Sequence, residues 1–175
     1  MRPARSARLV VLLTGMAVIG CVVPASSAAS PAGSVVPATA SPASDWASVE
    51  ALAFDTALFE FSVIARDLQH PRHDPRLDWS TDHCSAPLIG NTGRSFDFTA
   101  SCRRHDFGYR NLRLLERRWG WGSRYWNPTN RERVDRRFLA DMLGHCAGRS
   151  WWLRWSCRTW AWIYFVAVRT AGGLH

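Results

Sequence analysis

One ten-residue stretch, residues 102–111, most constrains what this chain can fold into. It reads Cys-Arg-Arg-His-Asp-Phe-Gly-Tyr-Arg-Asn. In a helix, Cys102, His105, Asp106 and Tyr109 fall on one stripe, which would face a partner element. A base, an acid, a phenol and a cysteine are an unusual set for an ordinary core. The stripe therefore predicts a site of chemistry on a helix that packs against a second element.

The first residues of the chain have the pattern of an export segment. Three arginines precede an apolar run over residues 9–20, and small residues near Ala28 offer a cleavage site, which predicts a signal over residues 1–29. The run is too short to span a bilayer. A second interpretation stays open, because Val-Ile-Gly-Cys ending at Cys21 resembles a bacterial lipobox, with residues 1–20 as the signal and Cys21 lipidated. The chain is predicted to be secreted, or anchored to the cell envelope through Cys21.

The cysteines that remain after export form an even set. They are Cys84, Cys102, Cys146 and Cys157. In an oxidising compartment they predict two disulfides, and four cysteines allow three pairings. The spacing Cys-x17-Cys-x2-His fits no ordinary zinc pattern, and export disfavours free thiolates, which argues against a zinc site.

The charge of the chain limits the classes of partner that it could bind, but it does not single one out. The net charge is +8, no lysine is present, and all 14 acidic residues follow the export segment, so the exported chain stays basic. Ten tryptophans accompany these arginines. Such a chain could meet nucleic acid, an anionic membrane surface or an acidic envelope polymer.

Beyond the signal, the pattern predicts a leader and one helical domain. Residues 30–44 consist mainly of Ser, Ala and Pro and cannot bury a core, so they are predicted to be a disordered leader. Residues 45–175 are predicted to be the domain, with Asp45 as the N-cap of its first helix. Helices are predicted over residues 45–68, 102–118 and 130–145, and a last, buried one contains the apolar run 160–168. The two middle helices are expected to lie side by side.

These two helices can bring a histidine and several carboxylates together. Asp135 can reach one nitrogen of His105, fix its tautomer and leave the other nitrogen free to take a proton from water. Asp106 and the preceding Asp82 offer carboxylate oxygens, and the backbone carbonyl of His83 could complete a hard-oxygen cage of the kind that Ca²⁺ prefers. Without a serine or cysteine nucleophile, this arrangement predicts hydrolysis by direct attack of water.

Three short stretches of the sequence resemble those of a known protein family. They are Asp82-His83-Cys84, residues 102–111 and Arg133-Val134-Asp135. Together they closely resemble the prokaryotic and fungal secreted phospholipase A2 family. The pattern Cys-x-x-His-Asp-x-x-Tyr is shared with animal secreted phospholipases A2, and the longer His-Asp-Phe-Gly-Tyr-Arg-Asn is characteristic of the microbial branch. The resemblance is clear over residues 77–142 and weaker in the last helix.

The resemblance implies a fold, an activity and a partner. The fold would be all-α, a small helical domain with two central antiparallel helices, a calcium loop and the disulfides Cys84–Cys102 and Cys146–Cys157. The activity would be Ca²⁺-dependent hydrolysis of the sn-2 acyl ester of glycerophospholipids. The partner would be the phospholipid membrane surface, with no nucleic acid, and the protein is expected to be a monomer.

The resemblance also assigns roles to five positions. Carried over residue by residue, His105 would be the general base and Asp135 its orienting partner. Asp82, the carbonyl of His83 and Asp106 would bind calcium. The family often has a small or apolar side chain where this chain has His83, but a carbonyl ligand does not depend on its side chain. These roles coincide with those that the residues suggest on their own.

Two features leave alternatives open. A non-catalytic lipid- or envelope-binding module could use the same scaffold, because a fold does not guarantee activity; competent residues at all five site positions argue against it. Six tryptophans interleave with arginines and fit either a membrane interface or core packing. They are Trp119, Trp121, Trp126, Trp151, Trp152 and Trp155.

Overall fold

The computed structural model describes residues 40–84 and 96–171, and within these ranges the protein is built from five α-helices without a β-strand. The helices are α1 (Pro42–Glu50), α2 (Leu58–Arg66), α3 (Thr99–Trp119), α4 (Pro128–Ala147) and α5 (Trp151–Ala171). The all-α prediction is confirmed. The predicted export signal, Cys21 and most of the predicted leader precede residue 40 and lie outside the described residues.

Helix α1 begins earlier than the sequence pattern suggested. Ser41 is the N-cap: its side chain accepts a hydrogen bond from the Ser44 amide at 3.1 Å, while the Ser44 side chain accepts one from the Ser41 amide at 3.0 Å. Pro42 follows at a position where its fixed φ suits the first helical turn. The prediction that Asp45 is the N-cap is therefore wrong. Asp45 is instead buried and accepts hydrogen bonds from Arg118 and Trp119 of α3.

The predicted first helix, residues 45–68, is interrupted in the structure. A π-helical turn (Ala51–Asp55) continues α1, and Thr56 then takes an extended conformation before α2 begins. The Thr56 carbonyl accepts hydrogen bonds from two buried or half-buried guanidinium groups, those of Arg104 and Arg137. Because Thr56 is extended, its carbonyl lies outside both helices and accepts donors from α3 and α4 instead. Periodicity alone does not show such a contact.

Helices α3 and α4 are the two central helices, and their contacts show that they run antiparallel. Arg104 near the start of α3 bonds Asp141 near the end of α4 at 2.8 Å. Farther along α3, Tyr109 bonds Asp135, which lies nearer the start of α4, at 2.9 Å. Beside the second contact the two helices pack closely, because a Cβ on Gly108 would lie 2.8 Å from Val134 Cγ1.

Two disulfides fasten the ends of these helices. Cys84–Cys102 joins the loop before α3 to its first turn, and Cys146–Cys157 joins the end of α4 to α5. Both predicted pairings are confirmed. Because all four cysteines are paired, they supply no thiolates for a zinc ion.

Helix α5 is only partly buried. Cys157, Ala161 and Tyr164 face the core, but Trp162 and Val166 are exposed. The prediction that the apolar run 160–168 forms a buried helix is thus wrong for one of its faces. In the described part of the chain, none of the helices combines the length and apolarity needed to cross a bilayer.

Candidate active site

The side chains of His105 and Asp135 meet between α3 and α4. The Nε2 atom of His105 lies 2.9 Å from Oδ1 of Asp135. An ionised carboxylate can only accept, so this distance places the imidazole proton on Nε2. Within the described residues, Nδ1 forms no hydrogen bond. The geometry therefore gives His105 one nitrogen that is held and one that can act as a base.

The imidazole and the carboxylate differ in their access to solvent. The side chain of His105 is 11% exposed, whereas that of Asp135 is 1% exposed. The rings of Tyr109 and Phe138 pack against the imidazole, with centroids 4.6 and 4.8 Å away. These contacts restrict the rotation of His105 while leaving a small opening. A water molecule could reach His105 but not the carboxylate behind it.

Asp135 has two further donors. The Tyr109 hydroxyl donates to Oδ1 at 2.9 Å, and Nη1 of Arg169 donates to Oδ2 at 3.1 Å. Burial first, and then the negative charge of Asp135, raise the pKa of the Tyr109 phenol, so it keeps its proton and remains a donor. A buried carboxylate is stable only when its oxygens are satisfied in this way. Three donors, from His105, Tyr109 and Arg169, fix the direction of the carboxylate.

Arg169 is the one partner of Asp135 that sequence reasoning did not identify. It lies in the last turn of α5, outside every string that resembles the family. The signal in the sequence is weak: a single arginine that follows the long apolar run of the last helix. Its contact with Asp135 depends on how α5 packs on α4, which no local motif encodes.

The predicted calcium loop contacts α3 at Asp106, the residue next to His105. The Thr81 hydroxyl donates to Oδ2 of Asp106 at 2.5 Å and accepts the amide of His83 at 3.0 Å. His83 has a φ of 61°, a left-handed conformation that is uncommon for a non-glycine residue and is often found where a ligand is held. The structure thus brings Asp82, His83 and Asp106 to one side of α3.

The carboxylates of Asp82 and Asp106 interact directly. Burial is the largest cause that raises the pKa of Asp106 to about 6; the hydrogen bond from Thr81 lowers it, and the negative charge of Asp82 raises it further. Arg110 lies 3.8 Å from Asp82 and only partly offsets this charge. A cation bound beside these two carboxyl groups would favour the ionised form of Asp106.

The donor set fits a hard cation better than a soft one. In the described residues, no group of three or more His, Cys, Asp or Glu side chains is placed to hold a metal ion. Two carboxylates and the backbone carbonyl of His83 are oxygen donors, the kind that Ca²⁺ takes in sites that mix carboxylates with carbonyls. A calcium ion would therefore suit these residues, with backbone oxygen as part of the shell.

Helix α3 also holds the preceding loop in place. The buried side chain of Asn111 accepts the amide of Asp78 and donates to its carbonyl, both at 2.8 Å. Arg110 donates to the hydroxyl of Ser80 at 3.1 Å. These contacts explain why the string of residues 102–111 extends beyond His105 and Asp106: its last two residues fix the loop that carries Asp82.

Comparison with known proteins agrees with this geometry. The family model described as prokaryotic phospholipase A2 matches residues 49–172. A secretory phospholipase A2 of Arthroderma benhamiae is 35% identical over 142 residues, which cover 77% of this chain and 87% of that protein. A secretory phospholipase A2 of Beauveria bassiana is 37% identical over 97 residues, which cover 55% of this chain and 45% of that protein. The chain therefore belongs to the prokaryotic phospholipase A2 family, whose members are carboxylic ester hydrolases.

Proposed function

We propose that this protein is a secreted, calcium-dependent phospholipase A2 that cleaves the sn-2 acyl ester of glycerophospholipids with water activated by His105. The observation that supports this most is the bond between His105 Nε2 and Asp135 Oδ1 at 2.9 Å. It leaves Nδ1 as the only ring nitrogen that can take a proton. No serine or cysteine side chain in the described residues bonds His105, so water is the nucleophile.

The proton steps follow from this arrangement. Nδ1 of His105 removes a proton from water as the water oxygen attacks the ester carbonyl carbon. The imidazolium that forms is stabilised by Asp135, which Tyr109 and Arg169 hold in its orientation. When the tetrahedral intermediate collapses, Nδ1 returns the proton to the alcohol oxygen that leaves. The products are a fatty acid and a lysophospholipid, and His105 is neutral again.

Asp82, Asp106 and the carbonyl of His83 are proposed to hold Ca²⁺. When bound, the ion supplies positive charge close to the oxygen on which negative charge develops during ester hydrolysis. The chain's own contribution is to hold the carboxylate of Asp82, on a loop that Cys84–Cys102 and Asn111 fasten to α3, beside the carboxylate of Asp106 on α3 itself.

The remaining proposals concern location and partners. The matched relatives are named secretory, and the pattern of residues 1–29 fits export, so we propose an extracellular protein. Lipid anchoring through Cys21 is the alternative form of the same proposal. The protein acts as a monomer at a phospholipid surface and does not bind nucleic acid.

The test is release of fatty acid from phospholipid vesicles by the full chain, purified after export. We expect release from the sn-2 position with calcium and none with excess chelator. His105→Ala should lower the rate by at least about 10²-fold, because the general base is lost. His70→Ala, a histidine outside the site, is the matched control and should have native activity.

Each other outcome has a distinct meaning. Release of fatty acid that persists with chelator would support the hydrolase activity but refute the calcium site. Equal loss in both histidine variants would refute the role of His105. Vesicle binding without release by a protein with intact disulfides would favour a non-catalytic lipid-binding module.

A further inference from the structure

Helix α5 carries large apolar side chains on its solvent side. Trp151, Trp155, Trp162 and Val166 are 77%, 78%, 51% and 55% exposed. They follow one another at intervals of four, seven and four residues, so they lie on one side of the helix. We call this row the α5 stripe. Apolar surface that is contiguous and exposed on a soluble protein marks a site of interaction.

The α5 stripe is not a loosely packed part of the core. The opposite face of the helix is fully buried through Cys157, Ala161 and Tyr164, and Cys157 is bonded to α4. The helix is thus held firmly with the stripe turned outward. Of the six tryptophans that fit either a membrane or the core, Trp119 and Trp126 pack against the core, whereas Trp121 in the loop before α4 and the three in α5 are exposed.

The charge around the α5 stripe has one sign. Helix α5 contains Arg154, Arg158 and Arg169 and no acidic residue. Arg158 is exposed beside the stripe. Tryptophan favours the headgroup region of a bilayer, and arginine is attracted to anionic lipids. The two kinds of side chain together fit an anionic membrane surface better than a neutral or a basic partner.

We propose that the α5 stripe docks this protein on anionic phospholipid membranes, with α5 lying in the plane of the interface. An amphipathic helix that cannot cross a bilayer binds in this way, with its apolar face in the headgroup zone. The inference rests on the proposed function in one respect, namely that the same membrane supplies the substrate.

The stripe also leads to the candidate active site. Its last residue, Val166, precedes Arg169 by about one helical turn, and Arg169 is paired with the buried carboxylate of Asp135. Docking along the stripe would therefore bring the end of α5 that contacts the site to the lipid surface. The Cys146–Cys157 bond keeps the helix in this position relative to α4.

The test measures binding separately from hydrolysis. Vesicles are made from diether analogues of phospholipids, which have no acyl ester to cleave: the phosphatidylcholine analogue alone, or mixed with the phosphatidylglycerol analogue. Binding of the full chain, purified after export, is measured by co-sedimentation. The variant is Trp155→Ala with Trp162→Ala, and the matched control is Phe59→Ala, an aromatic residue of α2 that is 83% exposed.

We expect native protein and the Phe59 variant to bind the mixed vesicles alike, and the double variant at least about tenfold more weakly. Arg158→Gln should reduce the preference for mixed over neutral vesicles, and added salt should do the same. Arg158→Gln also tests the proposal if the double variant proves unfolded by its melting curve.

Three results would overturn the proposal. They are binding of native protein to neither kind of vesicle, binding of the double variant equal to that of native protein, and an equal loss of binding in Phe59→Ala. Sedimentation equilibrium tests whether a second copy of the chain covers the stripe instead. A native dimer that the double variant converts to monomer, without vesicle binding, would assign the stripe to that second copy. Because the lipids carry no acyl ester, failure of hydrolysis in the earlier assay leaves the binding result valid.

Discussion

At the scale of single residues, Asp135 is where separate parts of the protein converge. It receives His105 and Tyr109 from α3 and Arg169 from α5 while lying on α4 itself. A buried carboxylate with one donor could rotate or take up a proton. With three donors it has one orientation, and this orientation determines which nitrogen of His105 is left for water.

The contact of Arg169 can be tested by removing its charge. We expect Arg169→Gln to lower kcat a few-fold with KM unchanged, a modest effect because Arg169 is 41% exposed and water screens its charge. Arg169→Lys should recover part of the loss. The assay uses a short-chain phospholipid below its micellar concentration, so that docking on a membrane does not affect the rate. Unchanged kcat in Arg169→Gln, or a rise in KM alone, would contradict a positioning role.

The site residues that the sequence predicts are placed together by local helical spacing or by two neighbouring helices, whereas the one that it does not predict depends on a third helix. His105, Asp106 and Tyr109 share one helical stripe, so their spacing places them together before any tertiary contact is known. Asp135 could be assigned as the partner of His105 because the two middle helices are expected to lie side by side. Arg169 could not be found, because its partner is fixed by the packing of a third helix.

At the scale of the helices, the approach of α3 and α4 at Gly108 determines whether the site can form. A Cβ there would meet both methyl groups of Val134, at 2.8 and 2.9 Å. Val134 is buried and β-branched, so it has little freedom to move away. The glycine of the motif therefore serves the contact between the helices rather than a turn.

Gly108→Ala should destabilise the protein by about 1–2 kcal/mol, because overpacking outweighs the better helix propensity of alanine. Gly144→Ala is the matched control: nothing lies within 4 Å of its Cβ, so it should stabilise by about 0.5–1 kcal/mol. Urea unfolding measures both. In a double-mutant cycle, Gly108→Ala should cost less when combined with Val134→Ala. Strict additivity would exclude the clash as the cause.

The helices were predicted in type, but four were predicted where the described residues form five. The two middle helices follow a clear apolar period and occur where the sequence predicts them. The first predicted helix is two in the structure, because the apolar period continues through Thr56 and does not show the break. Arg104 and Arg137, far away in sequence, bind the Thr56 carbonyl at this break. The exposed side of α5 was missed for a related reason, since an apolar run does not show which of its faces has a partner.

At the scale of the whole molecule, binding of calcium should raise the free energy of unfolding. A ligand that binds only the folded state at 100 times its Kd adds about 2.7 kcal/mol. We expect calcium to raise the Tm of the native protein and to leave that of Asp106→Asn nearly unchanged. Differential scanning calorimetry with calcium and with chelator measures this difference.

Without calcium, the Asp106→Asn substitution should not lower the stability of the protein. The pKa of Asp106, raised to about 6 from 3.8, means that the folded state holds its proton more tightly than the unfolded one. Its charge therefore costs stability increasingly as pH rises from about 4 to 6, and the full cost remains above that range. At neutral pH and in chelator, neutral Asp106→Asn should be at least as stable as native protein. A marked loss of stability would show that the carboxylate has a structural role that calcium does not explain.

The disulfide Cys84–Cys102 has a consequence for when the molecule becomes active. It ties the loop that carries Asp82 to the first turn of the helix that carries His105. Such bonds form after export and are rare in the reducing cytosol. If the chain is exported and acts on phospholipids as we propose, it lacks the link between the two halves of its site while it is still inside its cell. Oxidation would then act as a maturation step that spares the lipids of the cell that makes the protein.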